Sequence, residues 1–369
     1  MIPTKWMALL AVSVALAGLP GCSGGSSTGN NNIGGPTAPH NLYVSVPGDN
    51  GVSVYRVDSS GVLTLVLGSP FRAGSSPAAI IAHPSGNFVY VANQAESDIS
   101  LLKVNSSNGQ LSEVMPRTLT AVDPAALAMD SGGTLLFAAN QASSSVSAYS
   151  IDATTGALTE VAGSPFATPP GPIALAVSPS GKFLYVCHGN LAPGAVSAYT
   201  IASGGTLQPV AGSPFAVGNG PFSLAIDPKE QFVYVANAID NTFSVLAITP
   251  VTGALTPIPS SPFAAGTHPI SITTDLTGAY LFVANQGSGN ISAFTLANGV
   301  PTQITNSPFT ATSAMSVMTL DLYGNFLFEA DQTAKSVNEL AITTTTGAVS
   351  TASNSVSLDS APGAISTSK

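Results

Sequence analysis

The sequence predicts an all-β fold, and two observations carry this prediction. A short strand-like segment led by an aromatic residue recurs seven times, and 36 Gly and 28 Pro interrupt the 369-residue chain throughout. Both residue types are unfavourable inside helices, which excludes long helices, coiled coils and helical bundles. An apolar content of 44% also excludes a disordered chain.

The recurring segment defines the repeat. Its copies lie at residues 42–44, 90–93, 137–140, 185–188, 234–237, 282–285 and 328–331. The leading aromatic residues are 47, 47, 48, 49, 48 and 46 positions apart. This spacing is the size of one propeller blade, so we expect one blade for each copy.

Each repeat contains three further strands. A second alternating segment follows about ten residues later, as at 146–149, and its period of two predicts a strand with one buried face. A Thr-Gly-Ala-Leu type of turn (155–158) then leads into a strand that closes with Ser-Pro-Phe (164–166). A proline-led strand (172–177) and a Pro-x-Gly turn precede the next aromatic strand. Four strands in each of seven repeats predict a seven-bladed β-propeller.

The two ends of the chain predict how the ring closes. The first repeat lacks the proline-led strand, and residues 362–367 supply one at the C-terminus. We therefore expect the C-terminal segment to be the innermost strand of the first blade, whose other strands come from residues 41–71. This pairing would leave no open sheet edge, and we expect a monomer.

The N-terminal residues predict export and lipid attachment. Lys5 precedes an apolar run (6–19) that is too short to span a bilayer and is typical of a signal peptide. The run ends in Leu-Pro-Gly-Cys, which resembles a bacterial lipoprotein signal with Cys22 as the lipid-bearing residue. A Gly/Ser/Asn-rich segment follows, as in a flexible tether. The predicted organisation is a signal peptide (1–21), a tether (22–38) and a propeller (39–369), anchored extracytoplasmically to the cell envelope.

Charge limits the partners. Only 7% of the residues are charged, and the formal net charge is −9. No basic surface is available to neutralise phosphates, so we expect no nucleic-acid partner. Two cysteines cannot form a disulfide framework, and no spacing of His, Cys or acidic residues suggests a metal site or a cofactor. The expected partners are the membrane, through the lipid, and a neutral carbohydrate, a lactone or a protein.

The repeated Tyr-Val-Ala-Asn strands, the Pro-x-Gly turns and the Thr-Gly-Ala-Leu turns resemble those of the lactonase-type seven-bladed propellers. That family includes 6-phosphogluconolactonase-like enzymes and the related YVTN repeat proteins, and the resemblance covers about residues 39–369. It implies a lactone hydrolase with its site on the top face of the propeller. The motifs lie in strands and turns, so they are specific for the fold and not for the activity.

The residues suggest a sparse set of catalytic candidates. A lactonase needs an activated water and a group that stabilises the oxyanion. Aligned by repeat, the third and fifth positions of the proline-led strands are neutral and mostly small, and we expect them to line the channel. The remaining candidates are His188, His268, Arg72, Arg117, Glu329 and Asp331, and we expect the two arginines to lie in loops between blades.

Other recurring polar residues have structural explanations. We expect the Asn that ends four of the aromatic strands, and the Asp that precedes several Pro-x-Gly turns, to accept or donate bonds within turns. Two functions therefore remain open: a hydrolase that opens sugar-type lactones, and a non-catalytic propeller that binds a ligand or partner.

Overall fold

The computed structural model describes residues 39–312, 314–351 and 354–368, and these form seven antiparallel β-sheets arranged as a ring. The predicted signal peptide, Cys22 and the predicted tether lie outside the described residues. No helix in the described part of the chain is long and apolar enough to cross a membrane. A single 3-10 turn (Pro47–Asp49) is the only helical segment in these ranges.

The strands are numbered in chain order, and each blade takes consecutive strands. Blade 1 contains β1 (His40–Val46), β2 (Gly51–Val57), β3 (Leu63–Leu65) and β4 (Phe71–Arg72). Blade 2 contains β5 (Pro77–Ala82), β6 (Phe88–Asn93), β7 (Asp98–Val104) and β8 (Leu111–Leu119). Blade 3 contains β9 (Pro124–Met129), β10 (Leu135–Asn140), β11 (Ser145–Ile151), β12 (Leu158–Glu160) and β13 (Phe166–Ala167). Blade 4 contains β14 (Pro172–Val177), β15 (Phe183–His188), β16 (Ala195–Ile201), β17 (Leu207–Pro209) and β18 (Phe215–Ala216).

Blade 5 contains β19 (Pro221–Ile226), β20 (Phe232–Asn237), β21 (Thr242–Ile248), β22 (Leu255–Pro257) and β23 (Phe263–Ala264). Blade 6 contains β24 (Pro269–Thr274), β25 (Tyr280–Asn285), β26 (Asn290–Ala297), β27 (Val300–Gln303) and β28 (Phe309–Thr310). Blade 7 contains β29 (Met315–Leu320), β30 (Phe326–Asp331), β31 (Ser336–Thr343), β32 (Ala348–Val349) and β33 (Asn354–Ser357). The last strand, β34 (Ile365–Ser368), returns to blade 1.

The fourth strand of most blades is broken into two short segments that both pair with the third strand. In five blades the break coincides with Ser-Pro-Phe, and its serine hydroxyl takes the place of a ladder carbonyl. Ser69 Oγ accepts the amide of Val54 at 3.1 Å, and Ser307 Oγ accepts that of Ala293 at 2.8 Å. Blade 2 has Met115 at this point and keeps one continuous outer strand, β8. The serine thus satisfies a backbone donor that the break would otherwise leave unpaired.

Ring closure by the C-terminal strand is confirmed. Strand β34 pairs antiparallel with β1, with Tyr43 opposite Ser366. Ser45 extends the contact, because its amide donates to the carbonyl of Ala364 at 2.9 Å and its hydroxyl accepts the amide of Ala364 at 2.8 Å. The first and last parts of the chain therefore build one blade, as the strand count predicts.

The hydrophobic core is divided among the seven interfaces between neighbouring blades. Each interface holds one apolar cluster, such as the cluster that joins Tyr185 of blade 4 to Leu224 of blade 5. The two small-residue columns of the innermost strands belong to these interfaces, so the prediction that they line the channel is wrong. Their members are at most 8% exposed, and Ser271 Oγ donates to the carbonyl of Met318 in the next blade at 3.2 Å. Small side chains are needed here because adjacent strands approach closely near the axis.

The face that carries the Pro-x-Gly turns is built from local hydrogen bonds. Asp275 Oδ1 accepts the amides of Ala279 at 2.7 Å and Tyr280 at 2.8 Å, and Asp130, Asp227 and Asp321 repeat this arrangement. These carboxylates close turns, which confirms the structural explanation for the aspartate column.

Candidate functional site on the top face

The face at which the innermost strands begin carries the candidate site, and we call it the top face. Two loops of each blade meet there: the connection into the innermost strand and the turn after the second strand. In blade 6 the amide of Gln286 donates to the carbonyl of His268 at 3.0 Å, and blades 2 to 7 all have this bond. Each of these blades thus contributes one joined pair of loops to the channel mouth.

The asparagine at the end of the second strand ties these loops to the rest of the blade. In blade 2 the amide of Asn93 donates to Ser100 Oγ at 2.9 Å, and its carbonyl accepts the amide of Gly74 at 3.1 Å. Asn285 makes the equivalent pair of bonds in blade 6. Asn140 and Asn237 donate to the third strand in the same way, but their carbonyl oxygens have no hydrogen-bond partner among the described residues. The structural role predicted for the asparagines is confirmed by these bonds.

His188 occupies the asparagine position of blade 4. Its ring is fully buried, and Nε2 lies 2.8 Å from Ser197 Oγ, as the asparagine amide does in other blades. Nδ1 has no hydrogen-bond partner among the described residues. The loop residue that would need an acceptor is Pro169, which has no N–H, so an asparagine carbonyl has nothing to accept here.

Burial also controls the protonation of this ring. It lowers the pKa of His188 to about 4, although the carbonyls of Pro169 and Pro170 approach the ring and favour the charged form. The imidazole is therefore neutral at physiological pH and closed off from solvent. It holds the loop in place and is a poor proton carrier for a substrate on the surface.

His268 has the opposite environment. It is exposed on the loop directly before β24, with a backbone φ of 54°. Its amide donates to Asn241 Oδ1 at 2.8 Å, which links this loop to blade 5. The backbone is fixed while the imidazole remains in solvent, so His268 is the accessible imidazole at the channel mouth among the described residues.

Glu329 and Asp331 are both buried in blade 7, and they accept hydrogen bonds from different donors. Glu329 Oε1 accepts the amides of Thr312 and Asn338, each at 3.2 Å, and so takes over the loop contact that an asparagine makes elsewhere. Burial raises the pKa of Glu329, and the nearby carboxylate of Asp331 adds to this effect. Asp331 Oδ1 accepts the amides of Thr333 and Ala334 at 2.8 and 2.7 Å. Both carboxyl groups hold the loops of this blade.

The two arginines lie in strands and not in the loops between blades, which corrects the prediction from the sequence. Arg72 is exposed in β4, whereas Arg117 lies in the outer strand β8. Arg117 pairs with Glu113 at 2.6 Å and also with Glu96, while Asp98 lies 3.7 Å away. The guanidinium of Arg117 thus binds carboxylates of its own blade. Hydrogen bonds from Ser75 and the charge of Arg117 lower the pKa of Glu96.

The structure adds residues to the channel mouth that the sequence analysis missed. Asp123 precedes Pro124 just as His268 precedes Pro269, so aligning the residue before each proline-led strand would have found it. Two glutamines that follow the second strand, Gln94 and Gln141, are half-buried there, and their side chains bond to no described residue. No simple sequence signal marks them as accessible.

Their position at the mouth follows from the equivalent glutamines of blades 6 and 7. Gln286 Nε2 donates to the carbonyl of Met315 at 2.9 Å, and Gln332 Nε2 donates to that of Pro362 at 3.4 Å. Each side chain therefore reaches forward to the start of the next innermost strand. Gln94 and Gln141 occupy the equivalent positions of blades 2 and 3, where their backbone amides donate to the carbonyls of Ser76 and Asp123.

The family model described as lactonase, seven-bladed β-propeller, matches residues 64–173 and 174–364. The chain belongs to this lactonase family. A search of curated proteins finds no significant match.

Solved structures with the same fold include the following three. A putative 6-phosphogluconolactonase from Bacteroides fragilis is 18% identical, with a TM-score of 0.75 over 89% of this chain and 98% of that one. The periplasmic gluconolactonase PpgL from Pseudomonas aeruginosa is 19% identical, with a TM-score of 0.73 over 89% of this chain and 99% of that one. Hydrazine synthase from Kuenenia stuttgartiensis is 16% identical, with a TM-score of 0.59, and covers 86% of this chain and 99% of that one. At these identities the likeness shows the shared fold.

Acidic residues predominate on the top face of this lactonase-family propeller. The acidic residues in its loops and adjoining strand ends are Asp49, Glu96, Asp98, Asp123, Asp240, Asp331 and Asp359, and the basic ones are Arg72, Arg117 and Lys335. Because Arg117 is already paired, the face offers an anionic ligand little attraction. A phosphorylated or carboxylated lactone would approach against this field.

The described residues contain no cluster of three or more His, Cys, Asp or Glu side chains that could hold a metal ion. A cleft of about 230 Å³ lies away from the channel, at the outer part of blades 4 and 5, lined by Ala216, Val217, Gly218, Ser244, Leu246, Pro257, Ser261 and Pro262. None of its lining residues is ionisable, so it provides no acid or base for hydrolysis.

Proposed function

We propose that this chain is a lipid-anchored binding protein of the bacterial cell envelope, whose top face takes a neutral, hydroxyl-rich ligand without hydrolysing it. One observation carries this proposal: most of the ionisable groups that the sequence offers for catalysis are engaged in holding the loops. His188, Glu329 and Asp331 are buried and bonded to their own blade, and Arg117 is paired with carboxylates.

The ligand class follows from the groups that stay accessible at the mouth. The amides of Gln94 and Gln141 can both donate and accept hydrogen bonds, which suits the hydroxyl groups of a sugar. The surrounding acidic residues disfavour anions. A neutral carbohydrate fits these conditions better than a phosphosugar or a dicarboxylate.

The proposed location rests on the N-terminal sequence. An apolar run that is too short to span a membrane, followed by Cys22 and a Gly/Ser/Asn-rich segment, supports export, lipid attachment and a tethered propeller. Mass spectrometry of the N-terminal peptide tests this directly, because a lipid-modified Cys22 is expected, and an intact signal peptide or an unmodified cysteine would contradict it.

Ligand binding is tested on a panel of neutral oligosaccharides with the wild-type chain, Gln94→Ala and Gln141→Ala. We expect each variant to weaken binding about tenfold, since an amide that pairs with a ligand hydroxyl contributes on the order of 1 kcal/mol or more. Gln208→Ala is the matched control, because this exposed glutamine lies on the outer strand of blade 4. Equal binding by all four proteins would show that the mouth is not the ligand site.

The absence of hydrolysis is tested on a panel of sugar lactones by following acid release. Turnover above the spontaneous rate would overturn the non-catalytic part of the proposal, whatever the binding results show.

A second function is favoured by the exposed imidazole of His268. A hydrolase for neutral sugar lactones would use it as a general base at the channel mouth, where proton exchange with solvent is open. The PpgL structure, described as a periplasmic gluconolactonase, fits the same location and substrate class. If turnover is found, loss of activity in His268→Ala with retention in His188→Ala would support this function, and full activity in both would exclude these residues as bases.

A further inference from the structure

The seven repeats provide an internal comparison for surface residues. At the sixth position of the third strand, blades 1 and 2 carry the exposed residues Arg56 and Lys103. The other blades have Ser150, Thr200, Ala247, Thr295 and Ala341 at this position. With Arg72 and Arg117, blades 1 and 2 hold four of the nine Lys and Arg residues of a chain that has 18 acidic residues. Blades 1 and 2 therefore carry a larger share of basic residues than the other blades.

The outer strand of blade 1 exposes larger apolar side chains than the equivalent strands of blades 3 to 6. Leu65 is 53% exposed and Leu67 is 85% exposed. The equivalent pairs in blades 3 to 6 are Glu160 and Ala162, Pro209 and Ala211, Pro257 and Pro259, and Gln303 and Thr305. Met115, on the outer strand of blade 2, is 65% exposed. Leucine at these edge positions is not required by the blade architecture, since four other blades are built without it.

These residues lie on adjoining blade edges. The turn before β8 lies against blade 1, because Gln110 Nε2 donates to the carbonyl of Leu67 at 2.9 Å. Arg56 Nη2 donates to the carbonyl of Ser107 in the same turn at 3.4 Å. We call this surface the edge patch and define it as Arg56, Leu65, Leu67, Arg72, Lys103 and Met115.

We propose that the edge patch docks on an anionic phospholipid bilayer. Exposed apolar side chains interspersed with basic ones are the combination that binds the interface of such a membrane. The other blades carry most of the acidic residues and would be repelled. The described chain enters the propeller at Pro39 and begins β1 at His40, so the anchoring segment joins the ring at blade 1, which carries part of the patch.

The extent of docking depends on the proposed lipid anchoring. A Gly/Ser-type segment of the length of residues 22–38 spans about 20 to 25 Å on average. A lipid at Cys22 would thus keep the propeller close to the bilayer, where the effective concentration is on the order of millimolar and a weak surface suffices. Docking would orient the ring relative to the membrane.

The test uses tryptophan as a reporter, because the single tryptophan of the chain, Trp6, lies in the predicted signal peptide. The chain from Cys22 onward carries either Leu67→Trp on the patch or Val251→Trp on blade 5, where Val251 is 89% exposed. Both proteins are coupled through Cys22 to a maleimide lipid in vesicles; Cys187 is buried and is spared. We expect brominated lipids to quench Leu67→Trp and not Val251→Trp, and only when the vesicles contain phosphatidylglycerol.

A second set of variants tests the charges. Arg56→Thr and Lys103→Ser introduce residues that other blades carry, and each should reduce the docked population about fivefold in Leu67→Trp. Lys182→Ser on blade 4 is the matched control and should change nothing. Equal quenching of both reporters, no quenching of either, or quenching independent of phosphatidylglycerol would overturn membrane docking and leave a protein partner as the occupant. The chemical coupling makes this result independent of natural lipidation, which the N-terminal mass tests separately.

Discussion

Replacing His188 by asparagine changes how the stability of the propeller depends on pH. The ordinary pKa of a histidine is 6.5, and burial lowers that of His188 to about 4. Between these two values the unfolded chain binds a proton that the folded chain does not, so stability rises with pH across this window. The wild-type protein should therefore lose stability as pH falls from about 6.5 to about 4, and the loss should level off below.

The size of this effect follows from the difference between the two pKa values. At about 1.4 kcal/mol for each pH unit, the full loss is about 3 kcal/mol, and most of it is complete by pH 4.5. The asparagine of His188→Asn can donate to Ser197 as other blades do, but it does not titrate. Its carbonyl finds no N–H on Pro169, which costs about 1 kcal/mol at neutral pH.

Urea unfolding at several pH values between 4.5 and 7.5 measures this directly. The quantity to follow is the free energy of unfolding of the wild type minus that of His188→Asn. We expect it to fall by 2 to 3 kcal/mol from pH 7.5 to pH 4.5. Ser197→Ala is the matched control, because it removes the hydrogen bond and keeps the buried ring, and so should retain the pH dependence. A difference that stays constant across this range would refute the buried, neutral imidazole.

Three further predictions concern the remaining contacts. Deleting residues 361–369 removes β34 and its buried Ile365, and should lower the free energy of unfolding by about 5 kcal/mol; an unchanged melting temperature in calorimetry would contradict the closure of the ring. Glu329→Gln should stabilise the protein at pH 7 in urea unfolding and lose this advantage below about pH 4.5, because a raised pKa favours folding only while the wild-type carboxyl is protonated. Arg117→Leu should cost about 2 kcal/mol at pH 7, with a smaller loss in acid as the facing carboxylates become protonated.

The sequence predicted the fold nearly completely because its signals are local and repeated. The aromatic strand, the Ser-Pro-Phe segment and the Pro-x-Gly turn each report a neighbouring backbone conformation, and seven copies remove ambiguity about the period. Closure by residues 362–367 follows from counting strands. Aligning the repeats predicts that the small-residue columns line the channel, but they lie between blades. Side chains on an innermost strand alternate between the two neighbouring blades. Ser271 contacts Met318 of blade 7, whereas Ile272 of the same strand packs with Ala225 and Tyr234 of blade 5.

The candidate site was predicted less well, since a column of aligned residues does not show the loop that each residue contacts. His188 is a titratable residue in a column of mostly asparagines. Pro169 explains this difference, because it has no backbone N–H for an asparagine carbonyl to accept. Arg117 is a candidate because of its charge, but the carboxylates near it come from three different positions of its blade. Asp123 is not among the predicted residues because it lies just before the proline-led strand and not within it.

Residues that differ from their equivalents in the other blades are therefore of two kinds, and only one kind indicates a binding surface. Some departures are matched by a second change nearby: His188 accompanies Pro169, and Asp331, at the asparagine position of blade 7, accompanies Glu329, which accepts the amide of Thr312. Such compensated changes preserve the packing of a blade, and selection for folding is enough to explain them. Other departures, such as Asp123 at the channel mouth and Leu67 on the outer edge, meet no compensating neighbour among the described residues. Folding does not account for the exposed Leu67, because four other blades have no leucine at this position. We therefore expect binding at these uncompensated positions.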